Sequence, residues 1–263
     1  MCEVITVTNQ IRSALYLLRR NVYLFIAMLL VLAQEACIVW LGASGMSYGG
    51  QDSLIGLFAT PFICCFAAVG VAAEDDAACG LRAAMCAQDG RARYVVARFL
   101  AVAASTVLVF AVTLLADLAM AAVGRPELSL VVSAPGMHTS ARLLAQFLSV
   151  LAYAELVLLV GLASRRTAAA LLVAFVLGIP RLFASLLLVL AKYLAFFVDV
   201  AHLDVAAVMG ALGNILPTQA FQSVVAFPGG IQPVGLVGGY VVPIVWLVGL
   251  FALLCALMAT RTV

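Results

Sequence analysis

The chain of 263 residues is 66% apolar and only 10% charged, with a formal net charge of +2. An ordinary soluble domain is about 25% charged, and 14 basic plus 12 acidic side chains cannot clothe a water-soluble surface of this size. These figures exclude a soluble enzyme, a disordered chain and a nucleic-acid-binding domain, and they leave a multi-span membrane protein.

Residues 3–20 open the chain with Val4, Val7, Ile11, Leu15 and Leu18 at three- and four-residue steps, while Arg12 and Arg19 fall off that stripe. This periodicity predicts an amphipathic helix lying in the headgroup region before the first span. Apolar runs of spanning length follow at residues 22–41, 54–73, 99–123, 143–163, 168–190 and 237–260. They are continuous rather than alternating, so they predict six transmembrane helices in one domain and not barrel strands. Between the fifth and sixth runs, residues 191–236 are apolar but punctuated by Pro217, Pro228, Gly229, Gly230 and Pro233. The expectation there is two short helices on, or dipping into, the outer mouth.

Charge sets the orientation. Arg12, Arg19, Arg20, Arg82, Arg91, Arg93, Arg98, Arg165, Arg166 and Arg261 fall on one side, and Arg125, Arg142 and Lys192 fall on or near the other. Both termini are therefore expected in the cytoplasm. The first run starts after residue 20, is of full length and ends in no small-residue cleavage site, so no cleaved signal peptide is expected. Lys192 is the only lysine and follows alanine, which excludes a P-loop. The seven cysteines form neither CxxC nor a Cys/His cluster, so no metal site is expected. Any P-loop ATP chemistry belongs to another subunit.

The segment from Glu74 to Arg98 is the most informative. Glu74, Asp75 and Asp76 precede a stretch expected to form a short helix over 77–88, and Asp89-Gly90 is a turn signal before Arg91 and Arg93. An acidic residue followed by the spaced pattern Gly80, Arg82, Gly90, Arg91, Tyr94, Arg98 resembles the link between the second and third spans of type-2 ABC transporter permeases. Leu81 stands where the family usually has Thr, and Arg98 where it has Lys. The layout of elbow helix, six spans, inner termini and about 250 residues is similar to the same family, most closely to permeases of lantibiotic-immunity and bacitracin-type exporters. The resemblance implies that Glu74, Asp75, Asp76, Gly80, Arg82, Asp89, Arg91 and Arg93 form a coupling loop that docks on an ATPase. It implies two ABC ATPase subunits that carry ATP and magnesium, a second permease (identical or homologous), and a bacterial cytoplasmic membrane. It also implies re-entrant helices before the last span, with Leu216-Pro217 at the family's Leu-Pro position.

Five ionisable residues fall in or near the runs: Glu35, Asp117, Glu155, Arg181 and Lys192. Each costs about 2.5–3.5 kcal/mol at the bilayer centre, so each is expected to face the bundle interior or a wet cavity. Glu35 and Arg181 lie 13 residues into parallel runs, about 20 Å deep, so Arg181 can pair with Glu35 or with Asp117 slightly further out. Pro180 is expected to kink the fifth helix. Glu155 lies deeper toward the inside, with no partner evident at its level. Such charges either fix helix register or line a substrate path. Two other functions fit the composition. One is an ion-coupled carrier or membrane scaffold. The other is a rhomboid-like serine protease, suggested by Gly42-Ala43-Ser44-Gly45; no span carries the His base it needs, and His138 and His202 are expected in outer loops.

Overall fold

An apolar run in a bilayer must satisfy its amides internally, and a helix does so. The computed structural model describes residues 12, 15–16, 18–43, 59–78, 90–122, 137–178, 189 and 237–260, and among them every regular element is helical. α1 is Val22–Ala43, α2 Ala59–Ala78, α3 Gly90–Ala122, α4 Met137–Ser164 and α5 Thr167–Gly178. A π-helical turn, Val237–Val241, leads into α6, Val242–Thr260. A helix thus occupies all or part of each of the six apolar runs. Three stretches are long and apolar enough to cross a bilayer: Ala92–Ala116, Leu143–Ser164 and Gly239–Thr260. Shorter apolar stretches are Val22–Cys37, Thr60–Ala73 and Thr167–Gly178.

Helix ends differ from the sequence expectation where polarity was taken as a boundary. α2 does not stop at residue 73 but continues through Glu74, Asp75 and Asp76 to Ala78, since a charged side chain costs a helix far less than proline does. α4 begins at Met137, directly after Pro135-Gly136, so His138 and Arg142 belong to its first turns and not to a loop. The π turn has a local cause. Pro243 has no N–H for the carbonyl four residues back and crowds it, and widening the turn relieves both.

The helices order around α2. Tyr23 packs against Phe66 and Asn21 reaches Ala67, so α1 runs antiparallel to α2. Gly161 of α4 abuts both Ala72 and Ala170, and Gly178 abuts Phe62. These contacts make α5 antiparallel to α2 and α4 parallel to it. On α3, Arg98 meets Val71, and Phe110 packs edge-on against Phe147 of α4 at 5.4 Å. On α6, Phe251 packs against Phe99 at 5.3 Å. The core consists of small and branched side chains, among them Ala67, Ala68, Ala154, Ala170 and Ala174. Glycine and alanine at these crossings let backbones approach closely, which is how helices associate where lipid supplies no hydrophobic drive. α4 and α5 are joined by two residues. Arg165 adopts left-handed backbone (φ 53°) and its N–H donates to the Gly161 carbonyl at 3.0 Å, closing α4.

The start of α1 is fixed by a residue the apolar pattern does not mark. Asn21 interrupts the helix between the preceding segment and α1. Its side-chain oxygen accepts from the Leu24 N–H at 3.2 Å, which is an N-cap, and its amide nitrogen donates to the Ala67 carbonyl of α2 at 3.1 Å. Gly70 makes room for it, since a Cβ there would overlap the Asn21 amide. Before it, the described residues 12, 15, 16 and 18–20 are helical. The expected apolar stripe divides: Leu18 is buried on the bundle, while Leu15 is 59% exposed beside Tyr16, Arg12, Arg19 and Arg20. Asn21→Ala removes both a cap and an inter-helix bond, an expected loss of about 2 kcal/mol. Asn21→Asp keeps the cap but sets a carboxylate oxygen against the Ala67 carbonyl, so it should be no better than alanine. Thermal unfolding of the purified protein in detergent checks both.

Candidate functional site

Two places gather the functional residues: the end of the bundle carrying the α2–α3 link, and the buried acids. At the first, Glu74, Asp75 and Asp76 lie in the last turns of α2, and Arg91 and Arg93 lie in the first turn of α3, with Arg93 exposed. The acidic cluster therefore lies within the described part of α2. Gly80, Arg82 and Asp89 lie outside the described residues, as does most of the expected helix over 77–88. So do residues 191–236, Arg181, Leu216, Pro217, Ser44 and Gly45.

What holds the α2–α3 hairpin is Arg98. It is buried, its guanidinium donates to the Val71 carbonyl at 2.8 Å, and it sits 5.3 Å over the Tyr94 ring. A basic residue opening a span would ordinarily snorkel to water, but Arg98 turns inward to the Val71 carbonyl in the body of α2. Its acceptor lies one helical turn from Ala67, the acceptor of Asn21. Side chains from α3 and α1 thus brace successive turns of α2 through its own carbonyls.

Among the buried acids, Glu35 is buried on α1 and Asp117 lies on α3. Their expected pairing with Arg181 involves a residue outside those described. Glu155 on α4 is fully buried, and neither carboxyl oxygen has a hydrogen-bond partner among the described residues. Taking the register from Ala72–Gly161 and Tyr23–Phe66, Glu155 is about 18 Å from Glu35 along the bundle, twelve residues of helical rise. At its level on α3, the Ser105 and Thr106 hydroxyls donate to the Val102 carbonyl at 2.8 and 3.0 Å and so are spent on their own helix. Gln146, also buried on α4, leaves its amide nitrogen without a partner among the described residues.

A partnerless buried carboxyl gives no stability in return for its desolvation. Glu155→Leu is therefore expected to leave the unfolding midpoint unchanged or raised, because replacing such a group by an apolar one of similar shape is neutral or stabilising. A drop of about 2 kcal/mol or more in a detergent melt would show that Glu155 serves the fold.

Asn21 and the inward role of Arg98 were not drawn from the sequence, although an Asn directly before an apolar helix is a capping signal. The described geometry defines an all-helical, membrane-embedded bundle with three stretches of spanning length. No protein-family model matches the chain, and no curated protein matches it either.

Proposed function

We propose that the chain is the permease subunit of an ATP-driven ABC exporter, with the amphipathic elbow, six spans, cytoplasmic coupling loop and re-entrant segment of the type-2 class. ATP would bind and be hydrolysed on a pair of partner ATPase subunits, with a second permease completing the pathway in a bacterial cytoplasmic membrane. The observation that carries this reading is the braced hairpin. α3 has 33 residues, about 50 Å against a hydrocarbon core of about 30 Å, so it extends past the apolar layer, and Arg91, Arg93 and Arg98 lie in its first turns. α2 is helical through Glu74–Asp76 to Ala78. Residues 79–89 are therefore carried on two helices that Arg98 locks together and Asn21 ties to α1. A load on that loop moves α1, α2 and α3 as one body, which is what rigid-body coupling needs. Cargo of the amphipathic-peptide class follows from the family resemblance alone.

The test is co-purification from native membranes in mild detergent. An ATPase is expected to accompany the tagged wild-type chain and to be lost from the Glu74→Lys/Asp75→Lys/Asp76→Lys variant. No nucleotide-binding protein with the wild type would overturn the reading. Glu155 favours a second reading, an ion-coupled carrier, because unpaired acids at membrane depth mark ion and proton pathways. Transport that persists without any ATPase and disappears in Glu155→Gln would select it.

A further inference from the structure

We infer that Glu155 is the ion-binding group of the ion-coupled reading, and that its ion is an exchangeable proton rather than a metal cation. The inference rests on that reading and adds the identity of the ion. Glu155 is fully buried on α4, and neither carboxyl oxygen has a hydrogen-bond partner among the described residues. A bare carboxylate so placed has lost its water and gained nothing in exchange. A cationic side chain, a metal ion or a proton can neutralise it.

No cationic side chain is in register. α4 packs against α2, α3, α5 and α6. The Ala72–Gly161 contact sets Glu155 level with Phe66 on α2, where the nearest titratable groups are the buried thiols of Cys64 and Cys65. Helices α5 and α6 carry no charged residue, and α6 offers only the Cys255 thiol. Along α4 itself, Glu155 is the only charged residue between Arg142 and Arg165, and the nearest titratable neighbour is Tyr153. Arg98 of α3 donates to the Val71 carbonyl, five residues or about 8 Å further along α2. Glu74, Asp75 and Asp76 on α2 and Asp117 on α3 add further acid, not a cation.

The donor set does not suit a metal ion either. A hard cation takes several oxygen ligands. Level with Glu155, the Ser105 and Thr106 hydroxyls donate to the Val102 carbonyl at 2.8 and 3.0 Å. Among the described residues, no three His, Cys, Asp or Glu side chains come together. A proton needs no ligand shell. It bonds to one carboxyl oxygen and leaves a neutral acid, the form that a dry interior holds at least cost. Because no hydrogen bond anchors this acid, none is broken when the bundle opens it to water, where the carboxylate is solvated. Binding the ion in one conformation and releasing it in another is the differential interaction that coupling needs.

The test uses the purified full-length chain in liposomes, without an ATPase. Infrared spectra of the wild type should show a protonated-carboxyl C=O band that is lost in Glu155→Gln and kept in Glu35→Gln. That band should shift in D2O as the bound proton exchanges. Dicyclohexylcarbodiimide should label Glu155, as read by peptide mass spectrometry. In that reaction the acid O–H adds across a C=N bond, the proton going to nitrogen and the carboxyl oxygen to carbon, and nothing is released. Sodium chloride in place of choline chloride should not slow the labelling. No band separating wild type from Glu155→Gln, a band unmoved by D2O, no label on Glu155, or a several-fold slowing by sodium would overturn the inference. Failure of the carrier reading gives a different result: transport persists in Glu155→Gln, while the wild-type band and label remain.

Discussion

A single methyl group added at Gly178 is expected to destabilise the bundle by about 1–3 kcal/mol, the usual cost of overpacking. A Cβ there would stand 2.5 Å from the Phe62 Cα and 2.8 Å from its Cβ. The obstacle is backbone, which cannot rotate away, and Phe62 is itself held between Phe66 and Phe175. α5 must therefore lift from α2 at its end. Gly249 on α6 is the matched control, because a Cβ there meets nothing within 4 Å. Gly249→Ala should fall within about 0.5 kcal/mol of wild type. Unfolding of both variants in the same detergent decides the matter. Equal midpoints would mean that α5 does not pack on α2 through Gly178.

Arg98→Met is the second large effect. The loss comprises a buried charge-assisted hydrogen bond to the Val71 carbonyl, about 1.5–3 kcal/mol, and the contact with the Tyr94 ring, about 0.5–1 kcal/mol. Arg98→Lys keeps the cation beside the Val71 carbonyl but loses the planar face, so an intermediate loss is expected. A melt that ranks arginine, lysine, methionine in descending stability supports the brace. Equal stability of the lysine and methionine variants would show that charge at this position does not matter. Under the proposed function, Arg98→Met should also retain the ATPase and yet transport less, since it loosens the hairpin without altering the loop.

The sequence made the helical segments legible because a continuous apolar run in a bilayer has few alternatives. Their ends were less legible. Acidic Glu74–Asp76 suggested a new element, yet α2 runs on through them to Ala78. His138 and Arg142 suggested a loop for the same reason. The close crossings at Gly70, Gly161 and Gly178 carry no distinctive signal in a chain with 20 glycines. What singles out these three is the opposing atom: the Asn21 amide, the Ala72 methyl and the Phe62 backbone. Arg98 was visible as a basic residue at a span boundary, but not its inward turn, which depends on the Val71 carbonyl of α2 lying beside it. Glu155 was legible both as an intramembrane acid and as one without an evident partner. Its complete burial became visible only once α3 and α4 were placed together.

The central claim is that residues 79–89 dock an ATPase, and photo-crosslinking from within that loop tests it most directly. A photoreactive amino acid replaces Met85 in the full chain, and native membranes are irradiated with and without ATP. The account predicts a crosslink to a nucleotide-binding subunit whose yield depends on ATP and which is absent when the photoreactive group is placed at Gly249. Crosslinks from Met85 only to lipid or to other membrane proteins, with no nucleotide-binding subunit in either condition, would contradict it.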